Sequence, residues 1–113
     1  MSYHMLESIL GTKTRELILQ YVNCFESGYA REIAKYLNLS LPSVQNQLNN
    51  FEDAGVMLSN MKGRTKEFFF NPRYAFLNEV KTLLDKARLF YKPEQKELFE
   101  MQRKRPRRSG KPF

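Results

Sequence analysis

Residues 28–51 constrain this chain more than any other stretch. Ile33, Ala34 and Leu37 fall on one helical stripe, and Val44, Leu48 and Phe51 resume that spacing after a short interruption. The interruption is Asn38-Leu39, a tight turn, followed by Ser40, whose hydroxyl can cap the start of a helix. Pro42 suits the first turn of that helix, where its missing N–H has no partner to lose. Small Ala34 allows close approach of two crossing helices, and Leu39 is expected to plug the turn. The pattern predicts a helix-turn-helix, a unit able to lay its second helix in a DNA major groove.

The flanks extend this frame. Met5, Leu6, Ile9 and Leu10 suit a short helical turn ended by Gly11, packed on the core or on a partner. Thr12 or Thr14 can cap a helix bearing Leu17, Ile18, Tyr21, Val22 and Phe25, with Glu16 at its positive end. Glu26-Ser27-Gly28 is a break. After Gly55, a C-terminal cap for the helix through Phe51, residues 56–60 and 65–70 read as two strands. Met61-Lys62-Gly63-Arg64 connects them, with Gly63 free to take a positive φ. Asn71-Pro72 stops the second strand. A long helix from Tyr74 to Phe90 is expected next, then a break at Lys92-Pro93 and a further helix over 94–103 bearing Leu98, Phe99 and Met101. The expected fold is mainly α with a small β-hairpin, a winged helix-turn-helix plus a long C-terminal helix.

Charge divides the chain. Residues 1–90 hold eleven Lys/Arg against nine Asp/Glu, whereas residues 91–113 hold eight against three. Residues 1–90 are therefore read as the folded domain, and 91–113 as a basic tail, partly helical and then disordered. A basic tail favours a polyanion such as nucleic acid, with a membrane surface or simple solubility as rivals. Arg103, Lys104, Arg105, Arg107 and Arg108 are its candidate phosphate contacts, adding salt-sensitive affinity with little sequence preference. No apolar run is long enough to span a bilayer, and no signal-peptide pattern is present. With Cys24 as the lone cysteine, no disulfide can form within the chain, so a cytoplasmic location is expected.

Several residues carry a resemblance. They are Leu10-Gly11, Arg15, Ile18-Leu19, Tyr29, Arg31-Glu32-Ile33-Ala34, Leu37, Leu39-Ser40, Val44, Leu48, Phe51 and Ala54-Gly55-Val56, then Gly63-Arg64 and Phe70-Asn71. Over about residues 10–72 the chain resembles winged-helix transcriptional regulators of the ArsR/MarR type. It is most similar to small prokaryotic winged-helix domains, some found beside a nucleotidyltransferase domain. The resemblance implies the fold more specifically than the function. The chain departs from the pattern by placing Asn and Gln, rather than Arg or Lys, on the exposed face of the second helix. Nor does it have the paired Cys and His of metal-sensing members.

The candidate contacts follow from the helical period. With Val44, Leu48 and Phe51 inward, Ser43, Gln45, Asn46 and Asn49 are candidates for base edges, since Asn and Gln match adenine and Ser suits several edges. The competing reading is a solvated, amide-rich face. Ser40 and the free N–H groups at the helix start are candidates for phosphate. Lys62, Arg64 and Lys66 near the hairpin tip are candidate backbone contacts, with Arg64 also able to enter a minor groove. Arg31, Lys35 and Arg73 are weaker ones. Glu52 and Asp53 are expected at the far end of the helix, away from DNA.

The long helix carries a broad apolar stripe of Phe76, Leu77, Val80, Leu83, Leu84 and Ala87. Such a face calls for cover, and a two-fold dimer would supply it while setting two reading helices ~34 Å apart. Catalysis has little support. His4 is read as incidental and Cys24 as an inert thiol beside Tyr21 and Phe25. There is no phosphate-cradling Gly loop and no metal-spaced cluster, so no metal, cofactor or enzyme activity is expected. The expected function is a dimeric, sequence-specific regulator bound to double-stranded DNA. The alternative is a protein-interaction adaptor, or an antitoxin-like partner of another protein, on the same scaffold.

Overall fold

The computed structural model describes residues 5–104, with the side chains of 101–104 outside the description. Among the described residues, six helices and three short strands follow the order α1 (Glu7–Leu10), α2 (Lys13–Phe25), β1 (Gly28–Tyr29), α3 (Ala30–Leu37), α4 (Leu41–Asp53), β2 (Met57–Lys62), β3 (Thr65–Phe70), α5 (Leu77–Arg88) and α6 (Pro93–Lys104). The fold is mainly α-helical with a small antiparallel sheet ordered β1-β3-β2. Among the described residues no helix is long and apolar enough to cross a membrane.

Helix α2 is the centre of the molecule. Thr12 caps it by accepting the Arg15 N–H at 3.1 Å. Every residue from Glu16 to Val22 is buried, so this helix is enclosed on all sides rather than along one stripe. It packs against α1, α3, α4, α5, α6 and β3. Phe25 and Tyr36 stand edge-on to Tyr21, at ring separations of 4.6 and 5.7 Å. Aromatic pairs favour this arrangement over face-to-face stacking.

Two polar residues sit inside this enclosure. Glu16 and Gln20, both 0 % exposed, lie one turn apart on the same side of α2. Glu16 accepts the Leu6 N–H at 2.9 Å and the Tyr91 hydroxyl at 2.5 Å. Gln20 donates to the Leu84 carbonyl at 2.8 Å and to the Tyr91 oxygen at 3.1 Å, and accepts from Arg88 at 3.1 Å. Buried polar groups are tolerable only when bonded in this way. Burial first, and the Glu16 carboxylate second, lift the Tyr91 phenol well above its ordinary value, so it stays a neutral donor.

Residues beyond 90 thus contribute directly to the core. Besides Tyr91, α6 inserts Phe99, which is 0 % exposed and stands 6.3 Å from the Phe25 ring. The Tyr36 hydroxyl donates to the Leu98 carbonyl, which fastens α6 to α3.

The stripes expected for α2, α3 and α4 are in place, with Ile33, Ala34, Leu37, Val44, Leu48 and Phe51 all buried. Asn38 takes a left-handed conformation (φ 58°) between α3 and α4, where a short polar side chain is best tolerated. Four expectations need correction. The long helix spans Leu77–Arg88, not Tyr74–Phe90, because residues 71–76 form turns held by Tyr74 N–H on the Asn71 carbonyl. Leu84 and Ala87 are buried in the chain's own core, so they are not available to a second copy. The hairpin is longer and tighter than expected, since Lys62 pairs with Thr65 across the two-residue loop Gly63-Arg64. Gly63 has φ 64°, which suits the first position of a tight hairpin turn. Finally, the sheet has a third strand, β1, whose Gly28 and Tyr29 pair with Phe68 and Glu67.

Candidate nucleic-acid interface

Strand β1 positions the candidate site. It fixes the start of α3 against the middle of β3, so α3, α4 and the hairpin are held around one open groove. The groove is lined by Tyr29, Ala30, Arg31, Leu41, Gln45, Asn46, Asn49, Arg64, Thr65, Lys66 and Phe68. No carboxylate is among them.

Of the four residues expected at base edges, Gln45, Asn46 and Asn49 share this groove and are exposed. Ser43 does not line it. That residue is half-buried, and its N–H is spent on the Ser40 hydroxyl at 3.3 Å. Ser40 therefore acts as the cap of α4, and its oxygen already has a donor.

The basic candidates separate in the same way. Arg31 from α3 and Arg64 from the hairpin loop are exposed and both line the groove, and neither has an acidic partner among the described residues. Lys66 also lines it, but its ammonium lies 3.4 Å from Glu52 and 5.6 Å from the Phe68 ring centre. Lys62 is 3.4 Å from Glu67. In both pairs the lysine is exposed and the carboxylate half-buried, and ion pairs this open to water are weak, so the lysines keep much of their field. Lys35 and Arg73 are exposed but outside the groove. Of the tail candidates, Arg105, Arg107 and Arg108 lie outside the described residues. So do the side chains of Arg103 and Lys104, and all of His4.

Glu52 stands at the far end of α4 and does not line the groove. The hairpin folds back along α4, and the Glu52 carboxylate accepts Ser59 Oγ at 2.7 Å as well as pairing with Lys66. It therefore pins β2 and β3 to the end of α4. On the other side of the sheet, Ser27 donates to Glu67 at 2.7 Å, which ties the segment before β1 to β3. Neither clamp was visible in the sequence, since each joins residues that only the hairpin's return brings together.

Chemically, the groove offers three carboxamides, two guanidinium groups and an ammonium around a floor that includes Tyr29 and Phe68. Amides both donate and accept, and guanidinium groups donate in a planar fork. Such a set can hydrogen-bond to polar and anionic groups. Among the described residues no group of three or more His, Cys, Asp or Glu is placed to hold a metal ion. Cys24 is half-buried on α2, away from the groove. No protein-family model matches the chain, and no curated protein shows significant similarity to it.

Proposed function

We propose that this chain is a sequence-specific regulator of transcription that binds double-stranded DNA as a dimer, with α3 and α4 as a helix-turn-helix and β2-β3 as its wing. The observation that carries this reading is the groove itself. It gathers Gln45, Asn46 and Asn49 of α4 with Arg31 of α3 and Arg64 of the hairpin loop, and no acid lines it among the described residues. A helix entering the major groove needs base-reading groups on its exposed face and phosphate-binding groups nearby, and amides together with guanidinium groups suit those two roles. Regulation would follow from occupancy of a DNA site, with no chemistry required.

Dimerisation is part of the proposal. With Leu84 and Ala87 turned inward, the surface left for a second copy is formed by Phe76 and Leu83, backed by half-buried Leu77 and Val80. Phe76 is 61 % exposed, and Leu89 and Phe90 are open just beyond α5. Large apolar side chains concentrated at one helix are a usual mark of an interface. The same surface favours the second reading, a protein-interaction adaptor, if its occupant is a different protein.

Binding of the Asn46→Ala, Asn49→Ala double variant to a selected duplex and to random DNA tests the base-reading role. The proposal expects a large loss on the selected duplex and a small one on random DNA. Equal small losses on both would overturn it. Sedimentation of the Phe76→Ser, Leu83→Ser variant tests the dimer, which should become a folded monomer whose melting temperature no longer depends on protein concentration, and an unchanged dimer would contradict this surface.

A further inference from the structure

We infer that the groove selects A·T base pairs, its α4 amides reading adenine in the major groove while Arg64 sits in a narrow minor groove. This rests on the DNA reading above and adds to it a base composition.

The argument starts from what α4 lacks. Guanine is read in the major groove by Arg or Lys forked onto O6 and N7, and cytosine by a carboxylate accepting from N4. Helix α4 contains no Arg or Lys, and its acids are confined to its last two residues, Glu52 and Asp53. Glu52 is turned to Ser59 and Lys66. What α4 presents to the groove is Gln45, Asn46 and Asn49, the side chains that pair with adenine N6 and N7.

These amides are also uncommitted. None of the three makes a side-chain hydrogen bond among the described residues, whereas Gln20, Asn23, Gln47 and Asn71 are each tied to a partner. At about 100° per residue the three lie within an arc of roughly 100° on α4. At a rise of ~1.5 Å per residue, Gln45 and Asn49 are ~6 Å apart along the axis. That is nearly two base-pair steps of ~3.4 Å, so the amides face two or three adjacent pairs.

Arg64 points to the same composition. It occupies the two-residue loop at the hairpin tip, exposed and without an acidic partner among the described residues, while Lys62 and Lys66 beside it are ion-paired. Narrow minor grooves of A-tracts concentrate negative potential and draw in arginine.

The test selects duplexes bound by the full chain from a random pool and rebuilds the best site with two base analogues. Replacing adenine by 7-deazaadenine removes N7 from the major groove and leaves the minor groove alone. Replacing it by 2,6-diaminopurine adds an amino group to the minor groove and leaves N7 and N6 in place. The expected site has a core of adjacent A·T pairs, with about tenfold weaker binding for each 7-deazaadenine at a read position. Diaminopurine should weaken the wild-type chain and leave Arg64→Ala unaffected. A G·C core, retained duplexes with no enriched sequence, or indifference to 7-deazaadenine throughout would overturn the inference while DNA binding stands. Failure to retain any duplex would overturn both.

Discussion

The hydroxyl of Tyr91 donates to the buried carboxylate of Glu16 across 2.5 Å, joining the segment between α5 and α6 to the central helix. The same carboxylate holds the Leu6 N–H, so one side chain fastens both ends of the described chain. Tyr91→Phe removes a donor from a fully buried acceptor, which costs about 1–3 kcal/mol. Urea denaturation at neutral pH should show that loss, and a wild-type midpoint in the variant would contradict it.

The same pair predicts a pH dependence. The folded-state pKa of Tyr91 is raised above its ordinary value, so folding favours the neutral phenol. Its contribution is fully present below about pH 10, the unfolded value, and is lost as pH climbs from there towards the folded value. Wild-type stability should fall more steeply than that of Tyr91→Phe as pH rises past about 10. Parallel profiles would show that the phenol titrates alike in both states.

Phe99 is enclosed by the core, although a domain ending at residue 90 is what the charge distribution suggests. Phe99→Ala should cost about 3–5 kcal/mol, the usual range for emptying a buried aromatic site. A chain cut after Phe90 loses both Tyr91 and Phe99 and should not fold cooperatively. Calorimetry of the two proteins checks this, and a cut chain that melts like the full one would refute it.

Gly28 stands where β1 meets the core. A Cβ there would lie 2.7 Å from Tyr21 Cε1 and 3.0 Å from Ile33 Cδ1. Gly28→Ala should therefore destabilise the fold by about 1–3 kcal/mol, as overpacking does. Because its neighbour Tyr29 is the N-cap of α3, the proposed DNA affinity should fall with it. An unchanged melting temperature would mean the packing at β1 is looser than described.

Glu52 restrains Lys66. Glu52→Gln keeps an acceptor for Ser59 but frees the ammonium, and should strengthen binding to any duplex while steepening its salt dependence. Arg64→Ala should do the reverse, reducing the salt slope by about one. Anisotropy titrations at several salt concentrations distinguish the two. Equal effects in one direction would argue against a phosphate role for the hairpin.

What could be read from the sequence divides along physical lines. Helices α2, α3 and α4 declare themselves because their apolar residues recur at the helical period, and Ser40 with Pro42 marks a helix start. The hairpin shows through its Gly63 turn. Strand β1 leaves no signal, since two residues cannot display a period of two. Glu16 and Gln20 mislead a periodic reading, which sends polar residues outward, whereas here Gln20 is satisfied entirely, and Glu16 in part, by groups more than 60 residues away. Phe99 is hidden in the same manner, a lone core aromatic within a charged helix. At the groove, α4's amides and Arg64 follow from the helical period and the turn. The pairing of Lys66 with Glu52 does not, because it depends on how the hairpin folds back.

The central claim is that the face bearing Gln45, Asn46, Asn49 and Arg64 is the one that meets duplex DNA. Amide chemical shifts of the isotope-labelled full chain, followed through a titration with duplex, test it most directly. The largest changes should fall on residues 41–49 and on the hairpin tip around Gly63-Arg64, with α5 little affected. Changes centred on α5, or none at all at saturating duplex, would contradict it.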